Sequence, residues 1–577
     1  MRENMRHGLI AVVLLWLTAV PARGQQPSES DISPWDRARQ EVENVLAEVD
    51  LLADKLGAVK VRARVANLLW PSDPDRAWRM FTELWQWIEA QKDGALDKEA
   101  ARTAVLQNMF PRSPRMAKEL LAKASASHKS GEAPFAAQLR GRDPHLKRLH
   151  RLTARMLDRD PSLAASLLEQ SLSVSVSPAA FQLLLRLRER DPSLADYLVM
   201  RTLETLQERP TVIALSGVHV LSDYVFPAQQ MMGKTDPPDE TLRGQYFSAA
   251  YAILQRSLQE SETVLRRKQQ YTAADLRLRS LYQGPVAAIL AALAPRYAPE
   301  LVGELNALAT RLAREIPSPL ARIERLRIIR LRRTLGQESE RSEPEDVDEA
   351  IRLAIERGEL GEARKLIGRI EDEAKRKSFA QAIAHVEFRS HLSKSNLAQA
   401  LLVARQIDDV NVRATMYAEV ARSAQRKGEV EFARLILAEA RLALANARPN
   451  GLHVRALLKL AATASTISES EAIGSLQQAV AALNGLALLS REEASTGASS
   501  KTFMRRLNDP RRLIDGSELN RAFASLGRIN LDEALLAAAQ IENPVIRLLA
   551  RLAACEAWLE QPESSTPAAN ARSDTVR

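Results

Sequence analysis

The chain has 577 residues, of which 22 are glycine and 5% aromatic, with 46% hydrophobic side chains and a formal charge of +9. Glycine at about half its usual ~7% share, with aromatic and β-branched residues scarce, excludes a collagen-like chain, a β-sandwich and a glycine-rich nucleotide-binding fold; the apolar share excludes a disordered chain. Alanine, leucine and arginine make up much of the composition, and these strong helix formers predict an all-α fold.

Met1 to Gly24 reads as a secretory signal peptide. Arg2 and Arg6 form a positive start, Gly8 to Val20 an apolar core, and Ala22-Arg23-Gly24 puts small residues where a signal peptidase cuts. An apolar run of about 13 residues is too short for the ~20 that cross a bilayer. No later segment has the length and apolarity to do so, and no cysteine stands at the cleavage point to take a lipid. The expectation is an exported protein, periplasmic or secreted after cleavage near Gly24. Cleavage would remove three arginines and one glutamate and leave a charge of +7. With Cys555 as the single cysteine, no intrachain disulfide can form, and the thiol reads as a small buried apolar group.

A polar leader follows at 25–34, and residues 35–335 read as helical hairpins at a period of 3.6. Four helix starts share one signal, at Asp73-Pro74, Ser113-Pro114, Asp160-Pro161 and Asp191-Pro192. Asp or Ser can cap the free N–H groups, and proline suits the first turn because its missing N–H has no partner there. Trp78, Phe81 and Trp85 fall on one helical stripe at i, i+3 and i+7. Core packing is the first reading of that stripe, and an aromatic platform for a glycan or peptide the functional one.

Val212 to Val225 is apolar enough to be a strand, and Ala228 to Thr235 (AQQMMGKT) after it meets the loose pattern of a phosphate-binding loop. The glycine-rich turn is missing and Asp236-Pro237-Pro238 stops a helix from following, so 228–235 reads as an ordinary loop. His145 and His150 are five apart and His385 and His391 six apart, not the three or four that share a helical face, so no metal site is expected. Ser216-Gly217 and Gly474-Ser475 lack the surroundings of a nucleophile elbow. No catalytic, cofactor-binding or metal-binding residue is expected, and no cofactor.

Arg322, Arg325, Arg327, Arg330, Arg332 and Arg333 alternate with Ile and Leu just before a polar, proline-containing linker at 336–346. Such arginines form a solvated face whose stems cover apolar surface, or a contact for an acidic protein, an anionic envelope polymer or lipid headgroups. An exported chain meets little nucleic acid, so none is expected as partner.

Residues 347–560 repeat. Ala363 to Ile370-Glu371 is matched by Ala400 to Ile407-Asp408 and by Ala534 to Ile541-Glu542. In each, an arginine follows the isoleucine by six residues (Arg376, Arg413, Arg547), and a small residue recurs at Ala384, Ala421 and Cys555. Arg491 to Ser517 reads as a mobile insertion and 561–577 as a disordered tail.

Gly358-Glu359-Leu360-Gly361-Glu362-Ala363 and Gly428-Glu429-Val430-Glu431-Phe432-Ala433 resemble the turn and second-helix start of tetratricopeptide repeats. Asn396-Leu397-Ala398-Gln399-Ala400 and Asn530-Leu531-Asp532-Glu533-Ala534 are similar without the glycine. The resemblance implies an α-solenoid of antiparallel helical hairpins, a right-handed superhelix in two helical halves, and a scaffold that binds a protein or peptide. The alternative is an envelope polysaccharide-acting or polysaccharide-binding protein of lytic-transglycosylase-like architecture, although neither the Glu-Ser-type motif nor the glycine-rich Met-Gln stretch of those enzymes occurs here. Oligomeric state stays open.

Overall fold

A computed structural model describes residues 33–126, 143–227, 236–267, 273–313, 347–495 and 517–560, apart from positions 93, 95, 357, 446 and 448, together with 324, 327–329, 331, 332, 334 and 335. Among the described residues the regular structure is helical and no strand occurs. Residues 1–24, expected to be a signal peptide, the run 228–235, the expected linker 336–346, most of the expected insertion 491–517 and the tail 561–577 lie outside the described residues. The possible strand at Val212 to Val225 is corrected: it lies inside the helix Thr211–Val225. An unbroken apolar run satisfies a helix buried all round as well as a strand, and nearly every residue of this one is buried.

The proline starts hold. Pro74, Pro114, Pro161 and Pro192 each open a helix, as do Pro34, Pro144, Pro178 and Pro544. The Asp160 and Asp191 carboxylates accept from the amides of Leu163 and Leu194, both at 2.9 Å, a cap that contributes about 1 kcal/mol each.

Two compact units divide the chain. One comprises Met1–Asp54, Leu68–Pro74 and Gly428–Arg577, the other Lys55–Asn67 and Asp75–Lys427. Residues on both sides of 336–346 fall in the second unit, so the division follows which helices pack together and not where the polar run lies. In the first unit the helix Pro34–Val49 packs on Pro544–Leu559, burying Trp35, Ala38, Val42, Val45 and Val49.

Repetition is visible in the backbone itself. Asp372, Asp409 and Asn543 each cap the helix after the repeated isoleucine, with φ and ψ of −69° and 111°, −69° and 111°, and −70° and 116°. The arginine six residues after the isoleucine reaches back to its carbonyl: Arg413 donates to Ile407 at 3.0 Å and Arg547 to Ile541 at 3.2 Å. Ala363, Ala400, Ala433 and Ala534 are all fully buried, as are Ala421 and Cys555. Small residues at these places let neighbouring helices approach, which explains why alanine recurs there. The chain is therefore a helical-repeat protein.

The glycine-containing turns explain one of the two glycine-free ones, that before Ala400. Gly358 and Gly428 have φ of 73° and 80°, five residues before their repeat alanines. Ser395 holds the same place before Ala400 and takes φ of 59°. A side chain in that left-handed region costs about 1 kcal/mol. Ser395→Gly is expected to stabilise the protein by about 0.5–1 kcal/mol, read as a rise in thermal midpoint by circular dichroism.

Candidate functional site

The aromatic stripe of the helix Pro74–Ala90 faces inward. Phe81 and Trp85 are buried and only Trp78 is partly open, so these side chains pack a helical layer and do not form an aromatic platform.

Of the six arginines at 322–333, Arg327 and Arg332 are described; Arg322, Arg325, Arg330 and Arg333 lie outside the described residues. Arg332 is exposed. Arg327 is committed to its own chain: Nη2 donates to Asp223 Oδ2 at 2.9 Å, and Nη1 lies 3.6 Å from Glu324 Oε2 and against His219 Nε2. His219 Nε2 stands 2.9 Å from Glu324 Oε1, and its ring meets Tyr282 edge-on at 5.6 Å. Asp223 and His219 of the helix Thr211–Val225 hold the Arg327 guanidinium, and with Glu324 beside it little of that charge remains for a partner.

Other buried ionic groups in the second unit are likewise occupied with each other. Arg102 makes a two-pronged pair with Glu89 at 2.8 and 2.6 Å and also holds Glu99, which pairs with the fully buried Arg148 at 2.8 Å. The Arg102 hydrogen bonds hold the Glu89 carboxyl below its ordinary range, against the opposing effect of burial. Arg188 donates to the Tyr224 hydroxyl at 2.8 Å and to the Asp236 carbonyl at 2.7 Å, and Tyr224 donates to Asp196 at 2.6 Å. Burial above all, and the Asp196 bond after it, push the Tyr224 phenol far up, so it acts as a fixed donor and not as a base. Burial likewise pushes the Cys555 thiol up, which leaves it unreactive. Among the described residues, no group of three or more His, Cys, Asp or Glu side chains is placed to hold a metal ion, and no helix is long and apolar enough to cross a membrane.

His150 gives the interior a pH dependence. Its Nε2 lies 2.7 Å from Ser171 Oγ, and burial lowers its pKa to about 4. The unfolded chain takes up this proton near pH 6.5 and the folded chain only near 4, so folding binds the neutral ring and stability falls as the pH drops through that window. The expected loss is on the order of 2–3 kcal/mol by pH 4, and His150→Gln should flatten the fall in thermal midpoint over the same range.

What the surface offers is apolar. Two residues after the repeat alanines stand Leu402, Leu435 and Leu536, which are 48%, 70% and 54% exposed; the first repeat has Lys365 there. On the helix Val430–Ala445, Leu442 is 74% exposed and lies two turns along from Leu435, with Ala438 and Ala445 exposed on the same face. Scattered single leucines on a surface need no explanation, but recurrence at one repeat position is a pattern. Sequence reading passed over these leucines because a leucine in a leucine-rich helix reads as core; the signal available was their fixed offset from the alanines.

The first unit also holds an open cleft of about 480 Å³ between residues 48–54 and 543–548. Val545 and Leu548, both buried, line it together with Leu51, which is 85% exposed. A volume of that size lies within the usual range for binding pockets of roughly 300–1,000 Å³.

No family model matches the chain, and no curated protein matches it. Among solved structures the chain is similar to a "Circular tandem repeat protein with novel repeat topology and enhanced subunit contact surfaces", at 14% identity over 89% of this chain and 95% of that one. The TM-score is 0.19, too low to carry an argument, so the repeat character rests on the internal equivalences described above.

Proposed function

We propose that this chain is an exported helical-repeat scaffold that binds a protein or peptide partner and carries out no chemistry of its own. The observation that carries the reading is the exposed leucine kept at one position of three repeats, Leu402, Leu435 and Leu536, with Leu442 extending the apolar face of its helix. Leaving such side chains in water forgoes about 1.5–3 kcal/mol each, which a partner recovers by covering them. The hairpins stack as a right-handed α-solenoid of tetratricopeptide-like pairs, a design that offers rows of equivalent positions to a ligand. Export rests on the segment Met1 to Gly24. In the second unit an acidic partner would find Arg332 exposed, with Arg327 excluded by its internal pairs.

Affinity capture from an envelope extract tests the reading, using the mature chain and a Leu435→Asp, Leu442→Asp double variant. A discrete set of proteins held by the first and lost by the second is the expected result. An identical set from both would contradict it. Release of soluble muropeptides when the mature chain is incubated with peptidoglycan would sink the non-catalytic part.

A further inference from the structure

We infer that the helix Pro34–Val49 is the second helix of the repeat that Pro544–Leu559 begins, supplied from about five hundred residues away in sequence, and that it acts as a clasp on a groove that accepts the same helix in trans.

Pro544–Leu559 has the marks of a first helix. Asn543 caps it as Asp372 and Asp409 cap Glu373–Ser393 and Val410–Arg426, and three residues after each of those two a second helix begins, at Leu397 and at Val430. Pro34–Val49 carries the burial pattern of a second helix. In Val430–Ala445 the buried alanine Ala433 is followed by Leu437, Ala440 and Leu444, four, seven and eleven residues on. Ala472, Leu476, Ala479 and Leu483 repeat that spacing in Glu469–Ser495, and Ala38, Val42, Val45 and Val49 repeat it in Pro34–Val49. First helices such as Val410–Arg426 and Pro544–Leu559 instead bury residues around most of their circumference.

Any amphipathic helix has such a stripe, so position decides. Arg551 holds Glu41 and Glu48, while residues 48–54 share a cleft with residues 543–548. Moving forward along Pro34–Val49 is thus moving back along Pro544–Leu559, an antiparallel pairing that sets the start of one helix by the end of the other, as in a hairpin. The neighbouring second helix agrees. Asn530, four residues before Ala534, donates to Glu469, three before Ala472, at 2.7 Å. On the other side Asp532, two before Ala534, pairs with Arg37, one before Ala38, at 3.0 Å. The starts of Glu469–Ser495, Leu531–Ala539 and Pro34–Val49 therefore stand in one row.

These pairs also define what the groove accepts: a helix with a valine stripe, an arginine facing Asp532 and two glutamates facing Arg551. The first unit is assembled from stretches at both ends of the sequence, so the stripe of Pro34–Val49 stays open until residues 544–559 are present.

Two circular permutants of the mature chain test this, both opened between Asp54 and Lys55. One joins residue 577 to residue 25; the other replaces 561–577 and 25–32 by Gly-Gly, which leaves Glu560-Gly-Gly-Ser33 as a hairpin turn. Both should keep the parent's helix content and its thermal midpoint within about 3 °C, with the amides of 34–49 protected from exchange. Failure of both to fold would overturn the inference, because the link to Lys55 and not the docking would then hold the helix. A short-linked permutant with 34–49 unprotected would overturn it as well. Independently, a labelled peptide of residues 33–52 is added to the full mature chain and to its Val42→Asp, Val45→Asp variant, whose own clasp is spoiled. It should bind the variant at least about tenfold more tightly than the parent, whose groove is filled, and should raise the variant's thermal midpoint. A peptide carrying Val42→Asp should bind neither. Equal binding to both chains, or none to the variant, would contradict the clasp.

Discussion

Gly527→Ala is expected to destabilise the protein by about 3 kcal/mol, seen as a fall in thermal midpoint by circular dichroism. Gly527 sits in the helix Ser517–Ile529 where it crosses Pro544–Leu559, the two packing closely in the first unit. A Cβ at this position would press into the Ala554 carbonyl oxygen and lie 2.8 Å from the Ala554 Cα. Those are backbone atoms, so no rotamer change relieves the clash and the helices must part. Parting them also strains the bond from Trp558 Nε1 to the Gly527 carbonyl, 2.7 Å long, and disturbs the packing of the buried Cys555. Alanine's better helix propensity, worth about 1 kcal/mol, offsets part of the cost. Gly485, in the helix Glu469–Ser495 with nothing within 4 Å of its would-be Cβ, is the control: Gly485→Ala should instead gain about 0.5–1 kcal/mol. Opposite signs from one substitution type in one unit would separate steric crowding from propensity.

Arg551→Met should loosen the hold of the first described helix on the last. Arg551 is mostly buried and its guanidinium pairs with Glu41 through Nε and with Glu48 through Nη1, the latter at 2.7 Å. Methionine keeps the apolar stem and removes the charge, leaving Glu41 mostly buried with its partner gone. The expected loss is about 2 kcal/mol, nearly all from Glu41, because Glu48 is exposed enough for water to screen it. Adding Glu41→Gln should restore most of that loss, since removing both charges is far less costly than stranding one. Hydrogen exchange is the direct readout: amides of Pro34–Val49 should exchange faster in the single variant and recover in the double. If exchange there is unchanged in Arg551→Met, the apolar contacts of Trp35, Val42 and Val45 hold the helix without the ion pairs.

Much of the fold was legible in the residues. Proline with a capping Asp or Ser fixes a helix start through local chemistry alone, and Asp160 and Asp191 behave as that chemistry requires. The repeat was legible because it recurs in sidechain size: Ala400, Ala421 and Ala534 must be small wherever helices meet. Ser395 shows the limit of motif reading, since the turn keeps its left-handed residue without the glycine that marks it elsewhere. What a single sequence does not carry is which faces find a neighbour. Trp78, Phe81 and Trp85 read first as core, but their spacing left the platform open until the burial of Phe81 and Trp85 was seen. Arg327 looked like its neighbours in the arginine run, yet its charge is neutralised by Asp223 and Glu324, the first about a hundred residues away in sequence. The leucines at 402, 435 and 536 were hidden for the converse reason, in that nothing in an apolar residue states that it lacks a partner.

That a partner covers those leucines is tested most directly by photocrosslinking. Benzoylphenylalanine at positions 435, 442 and 536 of the mature chain, irradiated in an envelope extract, should give the same discrete adducts at all three and none at the still more exposed position of Arg115. Adducts absent from the leucine positions, or indistinguishable from those at 115, would contradict a scaffold that binds through its repeats.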